Sequence, residues 1–114
     1  MNEGDVVLMP MPQADGQIKN RPVVILRKMP PYGDLLVCGV STQLQQSVPD
    51  FDELVMSKDQ DFTASGLIKD SVIRLSFLAV VPSKSVIGSI GSISPERHRR
   101  LLQRLSAYLV ENFK

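Results

Sequence analysis

Residues 66–81 read GLIKDSVIRLSFLAVV and contain two apolar runs, Gly66–Leu75 and Phe77–Val81, separated by one serine. Runs of this length that are rich in Val, Ile and Leu and bounded by Gly, Ser or Pro are typical of β-strands. Three further runs of this kind precede them: Val6–Met9, Pro22–Leu26 and Leu35–Val40. Strands this short and closely spaced favour an all-β barrel or sandwich over units in which helices alternate with strands.

Two weaker strands are predicted at Asp50–Met56 and Val86–Ile93, the second because its glycines disfavour a helix interior. The segments between the strands are predicted as loops or polar connections: Pro10–Asn20, Pro30–Asp34 and Ser57–Ser65. No internal repeat or long linker divides the chain. Its 114 residues are therefore predicted to form one domain, residues 1–114.

The C-terminal end of the sequence has a different pattern. Ser94 followed by Pro95 is typical of a helix N-cap with proline at the first helical position. Beyond this point apolar residues recur at spacings of three and four: Leu101, Leu102, Leu105, Tyr108, Leu109 and Phe113. This pattern predicts an amphipathic helix that packs on the sheet.

Composition limits the functional classes. The formal net charge is +1, from 13 basic and 12 acidic residues, so any surface for nucleic acid must be local. Cys38 and His98 are the only residues of their types, too few for an internal disulfide or a structural zinc site, and we expect no metal and no cofactor. The N-terminal residues do not resemble a signal peptide, and the apolar runs are shorter than the ~20 residues of a membrane helix. These features predict a cytoplasmic protein.

Two polar segments at strand ends are candidate phosphate contacts. Arg21 precedes Pro22, which favours an extended backbone at the strand entrance, where a guanidinium can bind a phosphate through two hydrogen bonds. Ser41, Thr42 and Gln43 follow a predicted strand and can donate to phosphate oxygens or base edges. Alternatively, Arg21 is a surface residue that balances an acid such as Asp15 or Asp34, and Ser41 and Thr42 only bond the local backbone.

Charged residues interrupt the apolar run at residues 66–75. Strand alternation would place Asp70 and Arg74 on one face with Ile68, and Lys69 on the other. Asp70 is a candidate proton acceptor. The alternative is that Asp70 and Arg74 form cross-strand salt bridges.

Four arginines lie near the start of the predicted helix: Arg97, Arg99, Arg100 and Arg104. Positive charge at a helix N-terminus opposes the helix dipole, which suggests an acidic partner, either RNA or a peptide. The alternative is a solvated face, partly balanced by Glu96 and Glu111. The acidic residues at 50, 52 and 53 match no metal-binding loop, so they are interpreted as a solvated edge.

Four blocks of the sequence resemble, in order and spacing, the signature blocks of the MazF/PemK family of bacterial toxins. The blocks are Gly4–Val7, Asn20–Ile25, Val37–Gln43 and Gly66–Leu75. The resemblance implies a mainly β fold, an SH3-like, partly open barrel of six to seven short strands with a C-terminal helix. It also implies a homodimer that is neutralised by a cognate antitoxin peptide and that binds promoter DNA together with it.

The activity implied by the resemblance is that of an endoribonuclease that cuts single-stranded mRNA at a short motif without a metal. In this chemistry the 2′-OH attacks the adjacent phosphate, which leaves a 2′,3′-cyclic phosphate and a 5′-OH. The family's catalytic positions fall on Arg21, Ser41 and Asp70. RNA contacts are expected from neighbouring polar residues: Asn20, Thr42, Gln43, Lys69 and Arg74.

Two positions depart from the family pattern. Serine stands at position 41, where threonine is usual, and Ile68 stands where some members carry a catalytic arginine. The general acid is therefore open between Lys69, Arg74 and Arg21. Two alternative functions also remain: a toxin of this fold that poisons DNA topoisomerase, and a binding module for antitoxin and promoter DNA that does not cut RNA.

Overall fold

The computed structural model of the chain describes residues 1–111. Its strands are β1 (Asp5–Pro12), β2 (Ile18–Met29), β3 (Asp34–Ser41), β4 (Glu53–Val55), β5 (Ser71–Val81) and β6 (Gly88–Ser92). Its α-helices are α1 (Phe62–Ser65) and α2 (Pro95–Val110), and single 3-10 turns lie at Leu44–Gln46 and Ser83–Ser85. The strands pair antiparallel in the order β4-β5-β3-β2-β1-β6 and form a curled half-barrel. The predicted mainly β fold with a C-terminal helix is confirmed.

Both faces of the central strands are buried. In β2, Val24 and Leu26 belong to one apolar cluster, and Val23 and Ile25 belong to a second one. Successive side chains of a strand point to opposite faces, so the two clusters lie on opposite sides of the sheet. The first cluster includes Leu101 and Leu105 of α2 and therefore lies under the helix. Burial on both faces explains why β2 is continuously apolar instead of alternating.

The hairpin of β1 and β2 is longer than predicted. The segment Pro10–Asn20, predicted as a loop, continues the two strands, with Pro10 opposite Asn20 and Pro12 opposite Ile18. Only residues 13–17 form the turn, which is closed by a 2.7 Å hydrogen bond from the Gln13 N–H to the Gln17 carbonyl. Cross-strand pairing extends these strands beyond the apolar core, where the sequence carries no hydrophobic signal. Arg21 therefore lies within a strand and not at its entrance.

The prediction of two strands at Gly66–Leu75 and Phe77–Val81 was wrong. The second run and the end of the first form one strand, β5, interrupted by a bulge: Gly39 of β3 pairs with Arg74 and Cys38 with Leu78. Residues 66–70 precede the strand, and Gly66 adopts a left-handed conformation (φ 75°) at the end of α1. The predicted alternation from Ile68 to Arg74 therefore does not apply to Asp70 and Lys69.

The other predicted elements were correct in type but wrong in extent. The weak strand at Asp50–Met56 is reduced to Glu53–Val55, and the polar connection Ser57–Ser65 contains the one-turn helix α1. The helix N-cap is confirmed, because the Ser94 Oγ accepts a hydrogen bond from the Arg97 N–H at 3.1 Å. Along α2 only part of the apolar stripe is buried. Tyr108 and Leu109 are exposed, and Phe113 lies outside the described residues.

Three of the four helix arginines form an internal ion-pair network, contrary to both interpretations of this cluster. Arg97 is buried and bonds the carboxylates of Glu53, Asp59 and Asp61 at 3.0, 3.2 and 2.8 Å. Arg100 and Arg104 also bond Glu53. The acids that satisfy these arginines come from β4 and the loop after it, so neither Glu96 nor Glu111 is needed as a counter-ion.

The predicted solvated acidic edge is wrong for two of its three residues, Asp52 and Glu53, whereas Asp50 is exposed as predicted. Asp52 and Glu53 are buried, and the Asp52 carboxylate accepts hydrogen bonds from the N–H groups of Val48 and Leu75 at 2.9 Å each. These acidic residues therefore bind the segment around β4 to β5 and to α2. No local pattern indicates this pairing, because the acids and arginines are more than 35 residues apart in the sequence.

Asp61 gives this network a dependence on pH. The pKa of Asp61 is lowered from 3.8 to about 2, chiefly because the Arg97 side chain donates to the carboxylate; the Ser94 N–H adds to this effect, and burial opposes it. A carboxyl group whose pKa is lowered by folding stabilises the fold at a pH above its unfolded-state pKa. This stabilisation is lost as the pH falls through the folded-state pKa.

We expect Asp61 to contribute about 2 kcal/mol to the free energy of unfolding, and this contribution to be lost between about pH 4 and pH 2. Urea unfolding at several pH values measures this, and Asp61→Asn is expected to flatten the acid limb. An acid limb as steep in the variant as in the wild type would contradict the assignment.

Among residues 1–111, no helix has the length and apolar character required to cross a membrane.

Candidate active site

Two adjoining pockets lie where the β1–β2 hairpin, the end of β3 and the start of β5 meet. The first has a volume of about 300 Å³ and is lined by hairpin residues, by residues 39–43 and by Arg74 and Phe77. The second, of about 280 Å³, extends towards residues 67–71. The two pockets share Arg21, Pro22, Val40, Ser41 and Thr42. We call them together the groove, with a first and a second pocket.

Strand pairing brings the Arg21 and Ser41 side chains to this groove. β2 and β3 are neighbours, with Val23 opposite Gly39, so residues just before Val23 and just after Gly39 lie at the same end of the sheet. Arg21 is exposed, and its Nη2 donates to the Oε1 of Gln13 at 2.6 Å. The Nε2 of Gln13 in turn donates to the Met11 carbonyl at 3.2 Å. The hairpin thus orients the guanidinium through a neutral side chain.

No carboxylate within residues 1–111 forms an ion pair with Arg21 or Arg74, the two arginines of the groove. The alternative in which Asp15 or Asp34 balances Arg21 is therefore not found; the Asp15 carboxylate instead accepts from the Gln17 N–H at 3.0 Å. The alternative of cross-strand salt bridges at Arg74 is not found either. Two guanidiniums without acidic partners make the groove a candidate anion site.

Ser41 combines the local and the functional interpretation. Its Oγ accepts a hydrogen bond from the Gln43 N–H at 3.0 Å, and the residue also lines both pockets. A hydroxyl that accepts a bond still has its own hydrogen to donate. Thr42 lines both pockets and Gln43 the first one. The end of β3 therefore presents hydroxyl and amide donors beside Arg21.

Asp70 lies next to the groove and lines neither pocket. Its Oδ1 accepts a hydrogen bond from the Ser57 N–H at 2.7 Å, while the adjacent Lys69 and Ser71 line the second pocket. Lys69 reaches the groove because residues 66–70 are not in a strand. Ile68 is exposed and lines the same pocket. Asn20, which pairs with Pro10 in the hairpin, lines neither pocket.

Several groove residues were not identified from the sequence as site candidates, among them Gln13, Gln46 and Phe77. Gln13 was assigned to a loop, and Gln46 lies in a 3-10 turn that has no apolar pattern. Phe77 appeared only as the start of an apolar run, and the bulge that brings it to the groove has no local signal in the sequence. Their proximity to Arg21 depends on the hairpin and on the β3–β5 pairing.

The single cysteine and the single histidine are not part of the groove. Cys38 is buried, and burial raises the pKa of its thiol to about 12, so it is not a nucleophile. The Nε2 of His98 lies 2.8 Å from the Leu26 carbonyl under the helix. The polar groups that line the groove are therefore guanidinium, ammonium, hydroxyl and amide groups, and the Asp70 carboxylate lies beside it.

The structure is a curled sheet of six antiparallel strands with a C-terminal helix, and its groove presents hydroxyls and two guanidiniums that form no ion pair within residues 1–111. These features define a small β-protein with a candidate anion-binding site. The chain belongs to the PemK-like, MazF-like toxin family of type II toxin–antitoxin systems, whose family model matches residues 2–109. The MazF-mt6 toxin of Mycobacterium tuberculosis has a similar fold, with a TM-score of 0.67 and 18% sequence identity over 96% of this chain and 99% of that chain. None of the curated protein sequences matches this chain.

Proposed function

We propose that this toxin is a metal-independent endoribonuclease that cleaves single-stranded mRNA at a short sequence motif. The proposal is supported by one observation above all: Arg21, Ser41 and Thr42 share both pockets of a groove in which neither arginine has a carboxylate partner within residues 1–111. Endoribonuclease activity is also what the family resemblance implies.

In the proposed reaction the substrate supplies its own nucleophile. The 2′-oxygen attacks the adjacent phosphorus, and its proton passes to the carboxylate of Asp70. The Ser57 N–H holds one Asp70 oxygen at 2.7 Å, which leaves the other oxygen for the proton. The bond from phosphorus to the 5′-oxygen breaks, and the ammonium of Lys69 protonates this oxygen. The products are a 2′,3′-cyclic phosphate and a 5′-OH.

Charge stabilisation is the main contribution of the protein. The phosphorane gains negative charge as it forms, and donors fixed in advance stabilise such charge strongly. Arg21, which Gln13 orients, and the Ser41 hydroxyl are proposed to donate to its non-bridging oxygens. Asn20, Thr42, Gln43 and Arg74 are proposed to bind the flanking RNA.

The test is incubation of the purified protein with a long single-stranded RNA in the presence of EDTA. We expect cuts at one short motif, with cyclic phosphate ends, and no cleavage when the 2′-OH at the cut site is replaced by hydrogen. RNA that stays intact at high protein concentration, under conditions in which a control toxin cuts, would contradict the proposal. A chain that still arrests growth without cutting RNA would point to topoisomerase poisoning.

The physiological partners follow from the family. We propose a cytoplasmic homodimer that a cognate antitoxin peptide neutralises and that binds promoter DNA together with this antitoxin. Exposed apolar side chains at the end of α2, Tyr108, Leu109 and Val110, support protein–protein contacts there. Size-exclusion chromatography of the protein alone measures the dimer, and the same step after co-expression with the product of the neighbouring gene measures the antitoxin complex.

A further inference from the structure

Phe77 is an exposed aromatic residue in the wall of the first pocket. The residue is 43% exposed, and its ring lies against Gly39. A Cβ placed on Gly39 would come within 3.2 Å of two ring atoms of Phe77. Glycine at position 39 therefore allows the ring to rest directly on the strand backbone beside the pocket.

The bulge in β5 explains why the ring lies there. Between the pairs Gly39–Arg74 and Cys38–Leu78, residues 75–77 have no partners in β3. Such bulges change the direction of side chains and are frequent next to functional sites. Without the bulge, Phe77 would occupy a regular position of the sheet. The bulge instead presents an aromatic surface to a polar groove.

The other walls of the first pocket carry hydrogen-bonding groups and positive charge. Gln43 and Gln46 contribute amides, which can both donate to and accept from a base edge. Arg74 contributes a guanidinium, and its Nε is buried with no hydrogen-bond partner among the described residues. The Nη2 of Arg74 donates a long hydrogen bond, of 3.4 Å, to the Ser76 hydroxyl.

An aromatic surface, two amides and a cation are the groups that bind an unpaired nucleotide. A volume of about 300 Å³ is at the lower end of the range for small-ligand pockets, which fits one nucleotide and not several. The first pocket also adjoins Arg21 and Ser41, where the cleaved phosphate is proposed to lie.

We infer that the first pocket holds one unpaired nucleotide adjacent to the cleaved bond. Its base stacks on Phe77, Gln43 and Gln46 contact the base edge, and Arg74 binds its phosphate. This inference rests on the proposed endoribonuclease function and names its substrate subsite. It makes Phe77 and Gly39 determinants of binding, with no role in the proton transfers.

The experiment measures the binding of a short single-stranded RNA whose cut-site 2′-OH is replaced by hydrogen, so that it cannot be cleaved. Stacking of one base on an aromatic side chain corresponds to about a 5- to 150-fold change in affinity. We expect Phe77→Leu to raise Kd by a factor in this range, and Phe77→Trp to keep the wild-type Kd.

Gly39→Ala is expected to weaken binding less than Phe77→Leu does, because the ring shifts by only a few tenths of an ångström. Tyr32→Leu is the matched control, because Tyr32 is an exposed aromatic residue outside both pockets.

A second measurement changes the RNA and leaves the protein as it is. Single bases are removed one at a time along the oligonucleotide. We expect binding to the wild-type protein to weaken when the removed base is the one that lies next to the cut. The same abasic RNA should bind Phe77→Leu no more weakly than the intact RNA does, because the two changes remove the same contact. The first of these results uses only the wild-type protein and supports the subsite even if Phe77→Leu folds poorly.

The outcomes separate this inference from the proposed function. If the wild type cuts RNA but Phe77→Leu and the abasic substitutions leave Kd and KM unchanged, the subsite is wrong and the nuclease assignment stands. If no RNA is cut but binding depends on Phe77 at one base position, the nuclease assignment fails, and the first pocket is a site for one unpaired nucleotide without a cleaved bond beside it. Absence of measurable RNA binding by the wild type overturns the subsite.

Discussion

Arg21→Ala is expected to slow RNA cleavage by about 10²–10³-fold and to leave the fold unchanged. The guanidinium is proposed to stabilise the charge that builds on the phosphorane, so its loss should lower kcat more than it raises KM. The side chain is exposed, and its one described side-chain partner is Gln13, so little stability depends on it. Single-turnover cleavage of a short RNA measures the rate, and circular dichroism measures the fold.

Two further variants sharpen this prediction. Arg99→Ala removes an exposed arginine that lines neither pocket, so its cleavage rate should match the wild type. Arg21→Lys keeps the charge but loses the planar pair of donors, and an intermediate rate is expected. If Arg21→Ala cut RNA at the wild-type rate, the groove would not be the site of cleavage, and the proposal for Ser41 and Asp70 would fail with it.

Arg97→Met is expected to lower the free energy of unfolding by about 3–5 kcal/mol. Methionine replaces the unbranched aliphatic part of the arginine side chain, but it lacks the cation that Glu53, Asp59 and Asp61 share. Asp59 and Asp61 would lose their cationic partner, and the buried Glu53 would keep only Arg100 and Arg104. Removal of one partner from a buried ion pair leaves an uncompensated charge, which is strongly destabilising.

Denaturant unfolding at pH 7 and at one fixed protein concentration measures this effect, because dimer formation would make the stability depend on concentration. Arg99→Met is the matched control two residues along the same helix. Its side chain is exposed, so a change within about 0.5 kcal/mol is expected. An Arg97→Met protein as stable as this control would show that the ion pairs contribute no net stability.

The two variants separate the site from its support. The Arg97 network fixes the loop after β4: Asp59, which bonds Arg97, accepts from the Met56 N–H, and the next N–H, that of Ser57, donates to Asp70. Arg97→Met should therefore lower both stability and cleavage, whereas Arg21→Ala should lower cleavage alone. This contrast distinguishes a group that contacts the substrate from one that positions another residue.

The sequence by itself determined the type of most of the elements, though not their extents, and it indicated the family. Short apolar runs such as Leu35–Val40 predicted strands, and Ser94 with Pro95 predicted the start of the helix, because both signals are local and follow from side-chain periodicity and capping. The order and spacing of the four blocks indicated the toxin family. Arg21, Ser41, Thr42, Gln43, Lys69 and Arg74, selected from the sequence, all line the groove.

Only the tertiary structure decided which side chains meet. The bulge that presents Phe77 is a property of the β3–β5 pairing, and the burial of Arg97 requires acids more than 35 residues away in the sequence. Asp70 lies at the side of the groove and not on the face of a strand, because Gly66 ends α1 and the chain enters β5 only at Ser71. Periodicity describes one element at a time, whereas registers, bulges and ion pairs depend on contacts between distant segments.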